Sequence, residues 1–95
     1  MKVKVQYLGF IRNLINRSQD VFELEAGASL SVVLDKIAGL YGRPFKREFY
    51  EPGLKDVKMG FAVTVNGILI GQLQGVDTCL NEDDNIILMS LMSGG

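Results

Sequence analysis

Ser29-Leu30-Ser31-Val32-Val33-Leu34-Asp35-Lys36-Ile37-Ala38-Gly39-Leu40-Tyr41-Gly42 is the stretch on which the fold turns. From Leu30, apolar residues return at Val33, Leu34, Ile37, Ala38 and Tyr41, the three- and four-residue steps of a single helical face. The spacing predicts a helix of about three turns. Ser29 stands at the N-cap position, where a hydroxyl can accept an orphan backbone N–H. Gly42 suits the left-handed residue that ends a helix, and Pro44 is expected to prevent continuation. A helix with one apolar stripe cannot bury it alone and needs a sheet face to lie on.

The strands for that sheet lie on both sides. Upstream, Lys2-Val3-Lys4-Val5-Gln6-Tyr7 alternates polar and apolar, placing Val3, Val5 and Tyr7 on an inner face. Residues 8–20 read as a connection whose Phe10, Leu14 and Ile15 fold back onto the core. Residues 21–25 read as a second strand, turning at Ala26-Gly27 and pairing antiparallel with the first. Downstream, Phe61-Ala62-Val63-Thr64-Val65 is a strand, Asn66-Gly67 a two-residue hairpin turn with positive φ at both positions, and Ile68-Leu69-Ile70 its return. Residues 75–80 form a connecting turn, 81–85 a polar acidic loop, and 86–91 the last strand.

Between these halves, residues 43–60 are the least periodic. Residues 44–50 suit a short helix opening on Pro44 and burying Phe45 and Phe49. Pro52-Gly53 marks a turn, in a connection long enough to be uncommon within a compact domain. The element order is strand, strand, helix, strand, strand, strand. It implies an α+β fold in which one main helix covers a mixed sheet of four to five strands. The first and last strands lie parallel at its centre, as the long crossover between them permits. This is the β-grasp (ubiquitin-like) arrangement, with residues 1–90 as the domain and 91–95 as a flexible tail.

Composition narrows the function. The 95 residues are 47% hydrophobic and 22% charged, ordinary for a soluble domain, and the net charge of −1 lacks the basic surplus of a nucleic-acid binder. A local cluster of Arg43, Lys46, Arg47, Lys55 and Lys58 is interleaved with Glu48, Glu51 and Asp56. It reads as a solvated face, with a docking patch for an anionic partner as the alternative. No apolar run approaches the roughly 20 residues of a membrane span, and the N-terminus lacks a signal-peptide core. Cys79 alone cannot form an intrachain disulfide, which fits a reducing cytoplasm; it is expected to be a small buried residue. With no His and one Cys, neither an ordinary zinc site nor a Cys–His or Ser–His pair is available. Glu82-Asp83-Asp84 reads as carboxylates solvating a turn rather than a metal site. The expectation is a protein that is not itself an enzyme, with no bound cofactor or metal.

Several short pieces then resemble one superfamily. They are the opening Val-Lys-Val-Gln-Tyr strand with Phe10-Ile11-Arg12-Asn13-Leu14, Ala26-Gly27-Ala28-Ser29-Leu30, and Val63-Thr64-Val65-Asn66-Gly67. Leu80-Asn81-Glu82-Asp83-Asp84-Asn85-Ile86 and the final Gly94-Gly95 complete the set. In order and spacing the chain resembles the ubiquitin-like sulfur carriers: the small subunit of molybdopterin synthase, the thiamine sulfur carrier and the archaeal small modifiers. Two departures stand out. Asp83-Asp84 replaces the usual Gly-Asp of molybdopterin-synthase subunits, and Ser90-Leu91 stands where those subunits have two prolines. The ending is more similar to the eukaryotic ubiquitin-related modifier, which is also a sulfur carrier.

Gly94-Gly95 is the piece that carries chemistry. Chance supplies two terminal glycines in about half a per cent of chains, and Gly loses the most freedom on ordering, so the pair adds nothing to a core. It does give a backbone thin enough for a narrow tunnel. The resemblance implies that a ubiquitin-activating-type adenylating enzyme uses ATP to join Gly95 to AMP. Sulfide or persulfide then yields a thiocarboxylate, or a target-protein lysine yields an isopeptide bond. The implied sulfur acceptors are a molybdopterin-synthase large subunit, in molybdenum cofactor biosynthesis, or a tRNA-thiolation enzyme. Partner docking is expected on the sheet face opposite the helix, with Ile87 and Met89 outward beside Ala62 and Thr64 as an exposed apolar patch. Leu91 and Met92 are expected to anchor the tail in a partner groove. A non-covalent β-grasp binding module is the reading from a different class.

Overall fold

β1 (Lys2–Leu8) and β5 (Asn85–Ser90) run parallel at the centre of a five-stranded sheet. The computed structural model describes residues 1–91. β2 (Gln19–Glu23) flanks β1 antiparallel; β3 (Phe61–Val65) flanks β5 antiparallel and carries β4 (Ile68–Leu69) at the other edge, giving the order β2-β1-β5-β3-β4. The alternation read in the sequence sets which face is dry. Val3, Val5 and Tyr7 of β1, Ile86 and Leu88 of β5, and Val63 and Val65 of β3 are all buried.

The long helix, α2, spans Leu30–Tyr41 and buries Leu30, Val33, Leu34, Ile37 and Ala38 in the same core. Fully burying each larger aliphatic is worth about 1.5–3 kcal/mol. The arrangement is the expected β-grasp. The caps differ in detail. The Ser29 hydroxyl makes no capping bond and pairs instead with the Ser31 hydroxyl at 2.7 Å. Gly42, at φ 71°, ends α2 as expected and donates its N–H to the Ala38 carbonyl at 2.8 Å. A second short helix, α3 (Arg43–Glu48), starts at once and carries Pro44 in its first turn, where a missing N–H costs nothing. Phe45 and Phe49 are buried as expected, their rings stacked 5.2 Å apart, and Phe49 meets Phe61 of β3 at 4.8 Å.

Four expectations need correction. The connection after β1 contains a helix, α1 (Phe10–Ile15), too short for its periodicity to be read. It buries Ile11 and Ile15, leaves Leu14 partly buried and leaves Phe10 exposed. The second strand begins at Gln19 and ends at Glu23, two residues earlier than expected at each end. Its register against β1 runs from Gln6↔Gln19 to Lys2↔Glu23. Ile70 belongs to a 3-10 turn rather than the return strand, because the chain bends inward there to bury it. Cys79 is exposed, since it alternates with buried Thr78 and Leu80 along an extended segment bridged to Ser29.

Candidate functional site

The end of β5 is held from two sides. The Phe10 backbone N–H donates to Ser90 Oγ at 3.0 Å, and the Leu91 N–H donates to the Gly60 carbonyl at 2.8 Å. Gly9 makes the first contact possible. At φ 71° its backbone favours glycine, and a Cβ built on it would collide with Ser90 Oγ. The pairing Phe61↔Ser90 fixes the strand up to this point. Beyond it the Leu91 side chain is 65% exposed, and Met92, Gly94 and Gly95 lie outside the described residues.

The sheet face away from α2 carries the residues expected to dock. The register sets Ala62 opposite Met89 and Thr64 opposite Ile87, so all four share that face. Ile87 and Met89 are half-buried, whereas Ala62 and Thr64 are buried at 9% and 7% exposure. These two short side chains therefore do not form exposed patch surface: their longer cross-strand neighbours overtop them. Thr64 Oγ1 is buried and has no hydrogen-bond partner among the described residues. The accessible apolar surface of this face comes instead from Leu8, Val21 and Leu69, at 45%, 60% and 48% exposure. Their cross-strand partners are Met89, Lys4 and Thr64. Sequence reasoning missed these three; extending the alternation through each pairing would have found them.

Two polar networks brace the sheet. Asp20 accepts from Tyr7 Oη at 2.9 Å, Tyr41 Oη at 2.6 Å and Arg17 Nε at 3.0 Å, tying β1, β2 and α2 together. Burial, reinforced by the Asp20 carboxylate, pushes the Tyr7 hydroxyl far above its ordinary value and Tyr41 up to about 12. Both hydroxyls thus keep their protons at neutral pH. At the opposite end, buried Asp84 accepts from Asn66 Nδ2 and the Asn81 N–H, each at 2.8 Å. The Asn85 N–H returns to Asn66 Oδ1 at 2.9 Å. Asn66 and Gly67 both have positive φ, as the hairpin turn requires. The acidic turn is therefore a structural clasp whose Asp84 carboxylate is consumed by these bonds. Among the described residues, no group of three His, Cys, Asp or Glu side chains is placed to hold a metal, and no helix is long and apolar enough to cross a membrane.

The fold is shared with solved structures of low sequence identity. Small archaeal modifier protein 1 from Methanosarcina acetivorans matches with a TM-score of 0.77 at 22% identity, covering 99% of this chain and 96% of that one. Urm1 from Trypanosoma brucei matches at 0.79 and 18%, covering 99% and 95%. A putative molybdopterin converting factor, subunit 1, from Pyrococcus furiosus matches at 0.73 and 24%, covering 97% and 99%. No curated protein matches the sequence significantly. The model of the ThiS family matches residues 5–95, nearly the whole chain and through its Gly-Gly end. On that match the chain belongs to the ThiS family, within the ubiquitin-like sulfur-carrier superfamily.

Proposed function

We propose that the protein is a sulfur carrier whose Gly95 carboxylate is adenylated by a partner enzyme and converted to a thiocarboxylate. The observation that carries this reading is the family match running through Gly94 and Gly95, directly after a strand end pinned at Ser90 and Leu91. A terminal carboxyl has a pKa of about 3.3–3.7, so at neutral pH it is an anion and a poor electrophile. Joining it to AMP, with release of pyrophosphate from ATP, removes that charge and creates a good leaving group. Sulfide then attacks the acyl carbon, and AMP departs with the electrons of the broken bond. Nothing in this sequence of steps asks the carrier itself to catalyse.

In this reading residues 91–95 are the tail that enters the partner, and Gly94 and Gly95 leave it narrow enough to do so. Leu91 and Met92 seat its root, and the sheet face of Ile87 and Met89, edged by Leu8 and Leu69, docks the domain. The setting is the cytoplasm, and the acceptor is a molybdopterin-synthase large subunit or a tRNA-thiolation enzyme. Conjugation to lysines is a second reading, favoured by the Ser90-Leu91 ending in place of two prolines. Both share the acyl-adenylate.

The test is reconstitution with a ubiquitin-activating-type adenylating enzyme. ATP–pyrophosphate exchange should depend on the carrier and vanish when Gly95 is deleted. Exchange that persists without Gly95 would refute the reading.

A further inference from the structure

A depression of about 630 Å³ beside α3 is lined by Arg43, Lys46, Arg47, Lys58 and Glu51. These five side chains carry +3 between them, which leaves −4 on the rest of a chain whose total is −1. α3 and the segment after it bring the cations together. Phe45 and Phe49, fully buried, root α3 in the core, so the helix presents its basic side chains from a fixed base. Lys58 Nζ donates to the Arg47 carbonyl at 2.8 Å, closing the 49–58 segment back onto the end of α3. Arg47 is paired with Glu48 at 3.2 Å, but Arg43, Lys46 and Lys58 make no ion pair among the described residues.

The patch lies at the same end of the molecule as Leu91. Lys58 is two residues, at most ~7 Å of chain, from Gly60, whose carbonyl holds the Leu91 N–H. The four residues after Leu91 reach at most ~14 Å. Any protein that grips Gly95 therefore comes within that distance of Leu91, which is bonded to the segment that follows Lys58. We infer that Arg43, Lys46, Arg47 and Lys58 form a docking surface for an acidic face on the enzyme that takes the tail. The inference rests on the proposed role of Gly95. A protein partner fits better than RNA: the remaining −4 repels an extended phosphate backbone, while a localised positive patch on an acidic molecule orients it toward a localised negative one.

The experiment compares wild type, Arg43→Glu/Lys46→Glu and a control reversal on α2, Lys36→Glu, all checked for an unchanged melting temperature. Association with the surface-held adenylating enzyme is followed without ATP over a range of salt, and pyrophosphate exchange is measured separately. The double variant should associate about tenfold or more slowly at low salt. The difference should close near 1 M salt, where the screening length is about 3 Å. Its KM for exchange should rise while kcat stays unchanged, and Lys36→Glu should have a much smaller effect. Equal association of the double variant and wild type overturns the inference, as does a loss of kcat alone. A double variant that instead loses binding to bulk transfer RNA, with KM unchanged, overturns it in favour of nucleic acid. Wild type that docks in this salt-dependent way but supports no exchange retains the patch and refutes the Gly95 reading.

Discussion

Gly9 approaches Ser90 so closely that only a residue without a side chain leaves room for Ser90 Oγ, which accepts the neighbouring Phe10 N–H at 3.0 Å. The contact joins the start of α1 to the last residue of β5, and it depends on a backbone at φ 71°. Gly9→Ala is expected to cost roughly 2 kcal/mol or more, from backbone strain and overpacking together. Adding Ser90→Ala should recover part of that loss, the clash but not the strain. Urea denaturation of the two single variants and the double variant measures the coupling; simple additivity would contradict the contact.

Asp20 is the acceptor for two tyrosines and an arginine. Asp20→Ala should destabilise by about 1–3 kcal/mol, because it leaves the buried Tyr7 hydroxyl without a partner. The same network sets an alkaline limit. Tyr41 is held protonated up to about 12, above the ordinary value near 10 for an unfolded tyrosine. Its contribution to stability is therefore complete below pH 10 and is lost as pH rises through 12. A falling melting temperature across that window, reduced in Tyr41→Phe, is the expected result.

Asp83 has φ 66°, a left-handed conformation that favours glycine, whereas Asp84 is buried and bonded. The two neighbours should respond oppositely. Asp83→Gly is expected to be neutral or stabilising by up to ~1 kcal/mol, and Asp84→Ala to destabilise by about 2–3 kcal/mol. Thermal melts distinguish them, and equal effects would contradict the clasp.

Leu69 exposes nearly half its side chain on the sheet face proposed to dock. Leu69→Glu should change stability by less than about 0.5 kcal/mol. It should raise KM for carrier-dependent pyrophosphate exchange at least severalfold and leave kcat intact. An unchanged KM would move docking off this face.

The parts legible in the sequence were those set by local rules. The apolar stripe from Leu30 to Tyr41, the alternation in β1 and β3 and the Asn66-Gly67 turn each declare themselves within a few residues. The misses came from tertiary pairing. α1 is under two turns, so nothing in Phe10–Ile15 reveals its buried side, and Ile11 takes the core place that the sequence suggests for Phe10. Ala62 and Thr64 face the expected way, but their depth depends on the longer side chains across the ladder. The burial of Asp84 required knowing that Asn66, far away in sequence, would meet it. Gly94 and Gly95 were legible as a motif alone.

Intact-protein mass spectrometry of the chain isolated from its native cell bears most directly on the role of Gly95. A fraction of the free protein should carry one sulfur in place of one oxygen, localised to Gly95 and absent after treatment with an alkylating reagent that consumes thiocarboxylate. A population entirely in the carboxylate form, under conditions in which the adenylating enzyme is expressed and active, would contradict the carrier role.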